Sequence, residues 1–293
     1  MFKEIRKLSD SKFAIMLILP TLILLLIIIF YPFINLITTS LLSYDNILVH
    51  SFSGLKNYNL VFSDQLFWQD LRRSLIYVFG SVMIFFIFGF AVALSLHKIN
   101  RFNAILTGIS LLPWAIPPVT AATMWRWSLN SQYGIVNDIL QRLCIISEPI
   151  RWITGGNITM ITLIFVDAWI RIPFTALILL AGLKTIPQDI YESASIDGAG
   201  PIQKFTYITL PNLKYPISIV LILQTMFAFR TYDILAILTG GGPGRETELL
   251  VKYILDSAFK DYQFGIASAV SIVMIVICIL SSLIYWKSLK IEV

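Results

Sequence analysis

Charge is scarce in this chain. Only 13% of its 293 residues are Asp, Glu, Lys or Arg, 57% are hydrophobic and the mean hydropathy is +0.79; soluble domains carry about a quarter charged residues. Histidine occurs twice, at His50 and His97, and cysteine twice, at Cys144 and Cys278. So few of either, so widely spaced, argue against a metal centre or a disulfide framework and leave two lone thiols. The phosphate-loop G-x-x-x-x-G-K-[ST], the metalloprotease H-E-x-x-H and the hydrolase G-x-S-x-G are all missing. The run Gly240-Gly241-Gly242-Pro243-Gly244-Arg245 lacks the lysine of a phosphate loop and reads as a tight turn, so ATP binding by this chain alone is not expected. No basic stripe interleaved with aromatics is present either, so nucleic acid is not implied as a partner. The net charge of +5 is then a matter of membrane topology.

What is abundant is apolar sequence in long runs. About 20 apolar residues in helical form cross the ~30 Å hydrocarbon layer. The runs do not alternate as barrel strands would. They predict an all-α membrane protein of six transmembrane helices: Phe13–Ile37, Ser74–Leu96, Ala104–Trp125, Ile158–Leu183, Ile217–Leu238 and Phe264–Trp286. The first run is longer than the core of a secretory signal and is followed by no small-x-small cleavage site, so it reads as a permanent span. Lys and Arg are denser in the segments placed inside when both ends are cytoplasmic, among them Lys3, Arg6, Lys7, Lys12, Lys98, Arg101, Lys204, Lys214, Lys287 and Lys290. The expected organisation is a cytoplasmic N-terminus (1–12), a membrane domain (13–286) and a cytoplasmic C-terminus (287–293).

Between spans four and five lies a polar island, about 184–215, on the cytoplasmic side. Pro187 suits the start of a helix, and Asp189 and Glu192 sit early, where the helix dipole favours acids. Ile190 and Ala194, with Tyr191, make a small apolar face. Asp197-Gly198 signals a turn and Gly200-Pro201 a restart; the second helix runs to about Ile208 and is closed by Leu210-Pro211. The result is a helix–turn–helix knob on the inner face, whose bland alternative is a connector tucked against lipid headgroups.

The stretch Glu192-Ser193-Ala194, then Gly198, then Ile208-Thr209-Leu210-Pro211 resembles the EAA motif of permease subunits in ATP-binding-cassette (ABC) importers, with Ser193 in place of the middle alanine. The likeness extends along the chain. It takes in Phe52-Ser53-Gly54-Leu55-Lys56-Asn57-Tyr58, Trp114-Ala115-Ile116-Pro117-Pro118 and Tyr133-Gly134-Ile135-Val136-Asn137. It continues through Tyr232-Asp233 and Leu238-Thr239-Gly240-Gly241-Gly242-Pro243. Together these are similar to the carbohydrate-uptake branch, in its first-permease type. The resemblance implies a prokaryotic cell-membrane subunit, itself no enzyme and binding no cofactor. Its partners would be a second, homologous permease, two ATPase subunits carrying ATP and Mg, and an extracytoplasmic solute-binding protein. It also implies that the polar island couples to the ATPase, through Glu192, Ser193, Ala194, Asp197, Gly198, Ala199, Ile208, Leu210 and Pro211.

For the solute, polar groups inside spans are the candidates, because charge at mid-bilayer costs at least ~2.5 kcal/mol and normally faces a bundle interior or cavity. Asp167 and Arg171 lie four apart on one face of span four, either neutralising each other or lining the pathway. Trp169 offers a ring to a sugar face. Gln224 offers a donor and an acceptor, with Phe227 three residues on; an interhelical hydrogen bond is its structural alternative. Arg230 and Asp233 are expected near the outer exit, as a gate or a salt bridge. The rival class is a self-sufficient transporter driven by an ion gradient, which would show repeated halves with matching broken helices. No such repeat is visible.

Overall fold

A computed structural model describes residues 10–44, 50–99 and 103–289. The topological markers Lys3, Arg6, Lys7, Arg101 and Lys290 lie outside the described residues, as do most of the expected terminal segments 1–12 and 287–293. The chain divides into two compact units, one ending at Asp64 and including Ile254–Val273, the other comprising Gln65–Tyr253 with Met274 onward.

In the first unit, helix α1 (Asp10–Leu25) passes through a π turn at Leu26–Phe30 into α2 (Tyr31–Ser40). Pro32 forces the wider turn: its ring excludes the carbonyl four residues back from ordinary helical bonding. The residues from Phe13 to Phe30 are all exposed, so this stretch has no buried face among the described residues. A short antiparallel hairpin follows, β1 (Leu42–Tyr44) and β2 (His50–Phe52), then α3 (Lys56–Ser63). The Gly54-Leu55-Lys56-Asn57-Tyr58 segment gains a structural explanation here. Buried Asn57 donates through Nδ2 to the carbonyls of Ser40 and Leu42, both at 2.8 Å, and Tyr58 Oη meets Ser40 Oγ at 2.9 Å. A side chain at Gly265 would strike the Leu42 carbonyl and Asn57, so the chain needs glycine there.

The second unit is built on two long helices, α4 (Gln65–Lys98) and α8 (Asn157–Lys184). They approach closely at small residues: a Cβ on Gly89 would lie 2.5 Å from Thr175, and one on Gly80 would lie 2.9 Å from Ile164. Between them come α5 (Asn103–Ala115), α6 (Pro118–Ser128) and α7 (Ile135–Arg142). After α8 come α9 (Gln188–Ile196), α10 (Pro201–Lys204), a π turn at Phe205–Thr209, α11 (Leu210–Asn212), α12 (Lys214–Phe229) and α13 (Asp233–Leu238). Helices α14 (Leu250–Phe259) and α15 (Phe264–Ser288) are the last described elements.

Among the described residues four helices are long and apolar enough to cross a membrane, or up to six if two bent pairs each count as one span. Expected spans one, two, four and six coincide with continuous helices. The third does not: α5 and α6 meet at 87°, a sharper break than the kink its Pro113, Pro117 and Pro118 cluster leads one to expect. Pro118 drives Pro117 into extended backbone, φ −54°, ψ 136°, and starts the next helix. The fifth also departs from expectation. Its continuous helix ends at Phe229, and Arg230–Tyr232 separate it from α13.

Candidate functional site

The polar island folds as a helix–turn–helix. Its first helix, α9, ends in paired reverse bonds: Ala199 N–H donates to the Ala194 carbonyl at 2.8 Å and Gly198 N–H to that of Ser195 at 3.2 Å. This six-to-one, five-to-two pattern needs a residue in the left-handed region, and Gly198 supplies it at φ +81°. The second helix starts at Pro201, where Gln203 Oε1 accepts from Gly200 N–H at 2.8 Å. Lys204 Nζ reaches back to Ser195 Oγ, joining the two helices. Ser193 Oγ donates to the Asp189 carbonyl at 2.8 Å, back along its own helix, and the residue stays exposed.

Leu210-Pro211 do not close the second helix, as the sequence suggested. The π turn absorbs Pro211, and the chain stays helical to Asn212. The break comes at Leu213, with a bend of 67° into α12. Pro216 is the cause, since its ring cannot coexist with a helical carbonyl at position 212. The expected apolar face is also redistributed. Ile190 is exposed, while Tyr191, Phe205 and Ile208 pack on an apolar cluster of α4, α8 and α12 that includes Phe90, Leu179, Leu183 and Leu213. Tyr191 Oη meets Thr209 Oγ1 at 2.9 Å. Glu192, Asp197, Gly198, Leu210 and Pro211 are exposed, Ala194 and Ala199 partly so. The knob thus has an anchored side and a free side, and the free side carries Ile196, Ile202 and Tyr207 at 87, 78 and 79% exposure.

The second cluster lies near the middle of the 28-residue α8. Arg171 Nε donates to Asp167 Oδ1 at 2.6 Å, and Tyr77 Oη donates to Asp167 Oδ2 at 2.5 Å. Both carboxylate oxygens are therefore used, and Asp167 is fully buried. Arg171 Nη2 donates to Thr231 Oγ1 at 3.0 Å, in the break after α12, and its guanidinium lies 5.5 Å from the Phe227 ring centre. Gln224 Nε2 donates to Thr175 Oγ1 at 2.7 Å and to the Arg171 carbonyl at 3.3 Å. Its Oε1 is buried and has no partner among the described residues. Rings continue outward from the cluster: Phe227 meets Phe174 edge-on, and Phe174 stacks on half-exposed Trp114 at 5.5 Å.

Asp167, Arg171, Gln224 and Phe227 are thus brought together. Trp169 stands apart, its ring edge-on to Trp125 at 5.6 Å. Arg230 and Asp233 are both exposed, and no salt bridge joins them among the described residues. Sequence reasoning missed Tyr77, Thr175 and Thr231, which hold the cluster from other parts of the chain. It also missed a second buried carboxylate, Asp70, which accepts from Arg73 at 2.8 Å and from Arg245 at 3.0 Å. Arg245, just after the glycine run, was the visible signal for it.

Comparison with known proteins adds a consistent picture. The family model for the binding-protein-dependent transport system inner membrane component matches residues 85–286. The sulfoquinovosyl glycerol transport system permease protein SmoG of Agrobacterium fabrum is 35% identical over 285 residues, 97% of this chain and 92% of that protein. The trehalose/maltose transport system permease protein MalF of Thermococcus litoralis is 35% identical over 282 residues, 96% of this chain and 95% of its own length. In fold, the chain is similar to one from a bacterial ABC transporter involved in the import of the acidic polysaccharide alginate, with a TM-score of 0.81 at 23% identity, covering 99% of this chain and 98% of that one.

Proposed function

Since the chain belongs to the binding-protein-dependent transport system inner membrane components, we propose that it forms half of the translocation pathway of an ATP-driven importer for a sugar or sugar-like solute. A second, homologous permease supplies the other half. Two ATPase subunits dock on the cytoplasmic knobs, and an extracytoplasmic binding protein delivers the solute. The relatives' sugar-transport names support the solute class.

The observation that carries this reading is the knob. Its turn is capped, its two helices are tied by Lys204, and its inner side is packed on the helix bundle. A push on its exposed side would therefore pass into α8 and α12 instead of being lost in a flexible loop. Ile196, Ile202, Tyr207 and Glu192, all exposed, offer an apolar contact and a charge to a partner. The helices so moved are those that bear Asp167, Arg171, Gln224 and Phe227. The unpartnered Gln224 Oε1 and the ring series Phe227, Phe174 and Trp114 suit the hydroxyls and C–H faces of a sugar. Exposed Arg230 and Asp233, flanking the break after α12, would then act at a gate.

The test is a gentle-detergent pull-down of the tagged chain from native membranes, with mass spectrometry of what comes with it. Recovery of a P-loop ATPase and a second permease is the expected result. A chain that comes out alone and moves solute down an ion gradient in liposomes would establish the rival class instead.

A further inference from the structure

At the end of α8 remote from the knob, about 42 Å away along its 28 residues, an open cavity of 520 Å³ lies against the segment that joins α6 to α8. Its walls include Arg126 and Trp127 from α6, Tyr133, Arg151 and Trp152 from the connecting segment, and Ile237 from α13. Among the described residues two guanidinium groups line it and no carboxylate does. Arg126 uses one amine on the Ile237 carbonyl at 3.0 Å, and its other donors have no partner among the described residues. The Arg151 side chain has no hydrogen-bond or ion-pair partner among the described residues.

The walls are fixed. Buried Asn137 accepts from Trp152 Nε1 at 3.0 Å, and exchanges bonds with Ile150 N–H and carbonyl at 3.1 and 3.0 Å. Trp127 and Tyr133, both exposed, meet edge-on at 5.9 Å. Gly134 follows a turn so tight that a Cβ would lie 2.3 Å from the Asn130 carbonyl. The Tyr133-Gly134-Ile135-Val136-Asn137 stretch, which the coupling and pathway clusters leave unused, thereby acquires a purpose as the frame of this cavity.

We infer that the cavity is a binding site for an acidic saccharide, one that bears a carboxylate or sulfonate. A cavity of this size lies within the range that encloses small organic ligands. Forked guanidinium donors match the paired oxygens of such an acid. The exposed rings give its sugar face an apolar surface. The inference rests on the importer reading, which places this end of α8 outside the cell, where solute arrives, and it narrows the solute to an anionic one.

The experiment compares binding of digalacturonate and uncharged galactobiose to the full chain in lipid nanodiscs by calorimetry, at low and high salt. The acidic sugar is expected to bind about tenfold tighter, the size of one charge-assisted hydrogen bond. The preference should shrink with salt. It should fall in Arg151→Gln and persist in Arg142→Gln, a surface arginine paired with Asp138. Equal affinities, no binding of either sugar, or a preference indifferent to Arg151→Gln in a chain of unchanged melting temperature would overturn the inference. So would a result in which Arg151→Gln weakens only capture of the soluble binding protein, which would make the cavity a protein socket. If the pull-down recovers ATPase and second permease while the sugars are not distinguished, this inference fails alone. If it recovers neither, the importer reading fails first.

Discussion

Asp167 illustrates how one side chain can be both costly and indispensable. Its carboxylate is removed from solvent entirely, yet each oxygen accepts a short bond, one from Arg171 and one from Tyr77. Removing one member of a buried pair leaves the other uncompensated, at a cost of about 3–5 kcal/mol, whereas removing both can be nearly neutral. Asp167→Asn should therefore lower the melting temperature of the purified chain sharply, and Asp167→Asn with Arg171→Gln should lower it less. A double variant as unstable as the sum of the two singles would mean that the pair is not coupled. The i, i+4 spacing of these two residues was legible in the sequence; their third partner was not. Tyr77 is ninety residues away, and nothing local in its surroundings marks it as a donor to this acid.

At the scale of elements, prolines and glycines decide where helices bend. Gly198 is required for its backbone angle and not for space, because a Cβ there would meet nothing within 4 Å. Asparagine tolerates the left-handed region, while a β-branched residue does not. Gly198→Val should cost about 1–2 kcal/mol locally and reduce the ATPase recovered with the tagged chain, while Gly198→Asn should retain most of it. Equal recovery from both at normal membrane levels would remove the turn from the coupling role. The break at Pro117-Pro118 could be foreseen from composition. The break at Arg230–Tyr232 could not, since it contains neither proline nor glycine. Thr231 instead accepts from Arg171 on another helix while donating back to the Phe227 carbonyl, so tertiary contacts hold it. Pro211 misled for the opposite reason, because a π turn accommodates a proline that the sequence alone presents as a stop.

For the whole molecule, the proposed arrangement puts the knob and the Arg126–Arg151 cavity on opposite sides of the membrane. In that arrangement Cys144, exposed between α7 and α8, serves as a native reporter for the outer side. A membrane-impermeant maleimide should label it in intact cells, while Ser193→Cys in a Cys144→Ser background should react only after the cells are opened. The reverse pattern would invert the topology. The position of the Asp167–Arg171 pair has one more consequence, for biogenesis. Both charges belong to the same helix, one turn apart, so they neutralise each other as soon as that helix coils and before any neighbour is present. Had they come from two helices, each would have entered the lipid as a bare ion. As built, α8 can leave the insertion machinery with its charge already cancelled, and assembly of the bundle needs only to bring Tyr77 and Thr231 to a pair that is waiting.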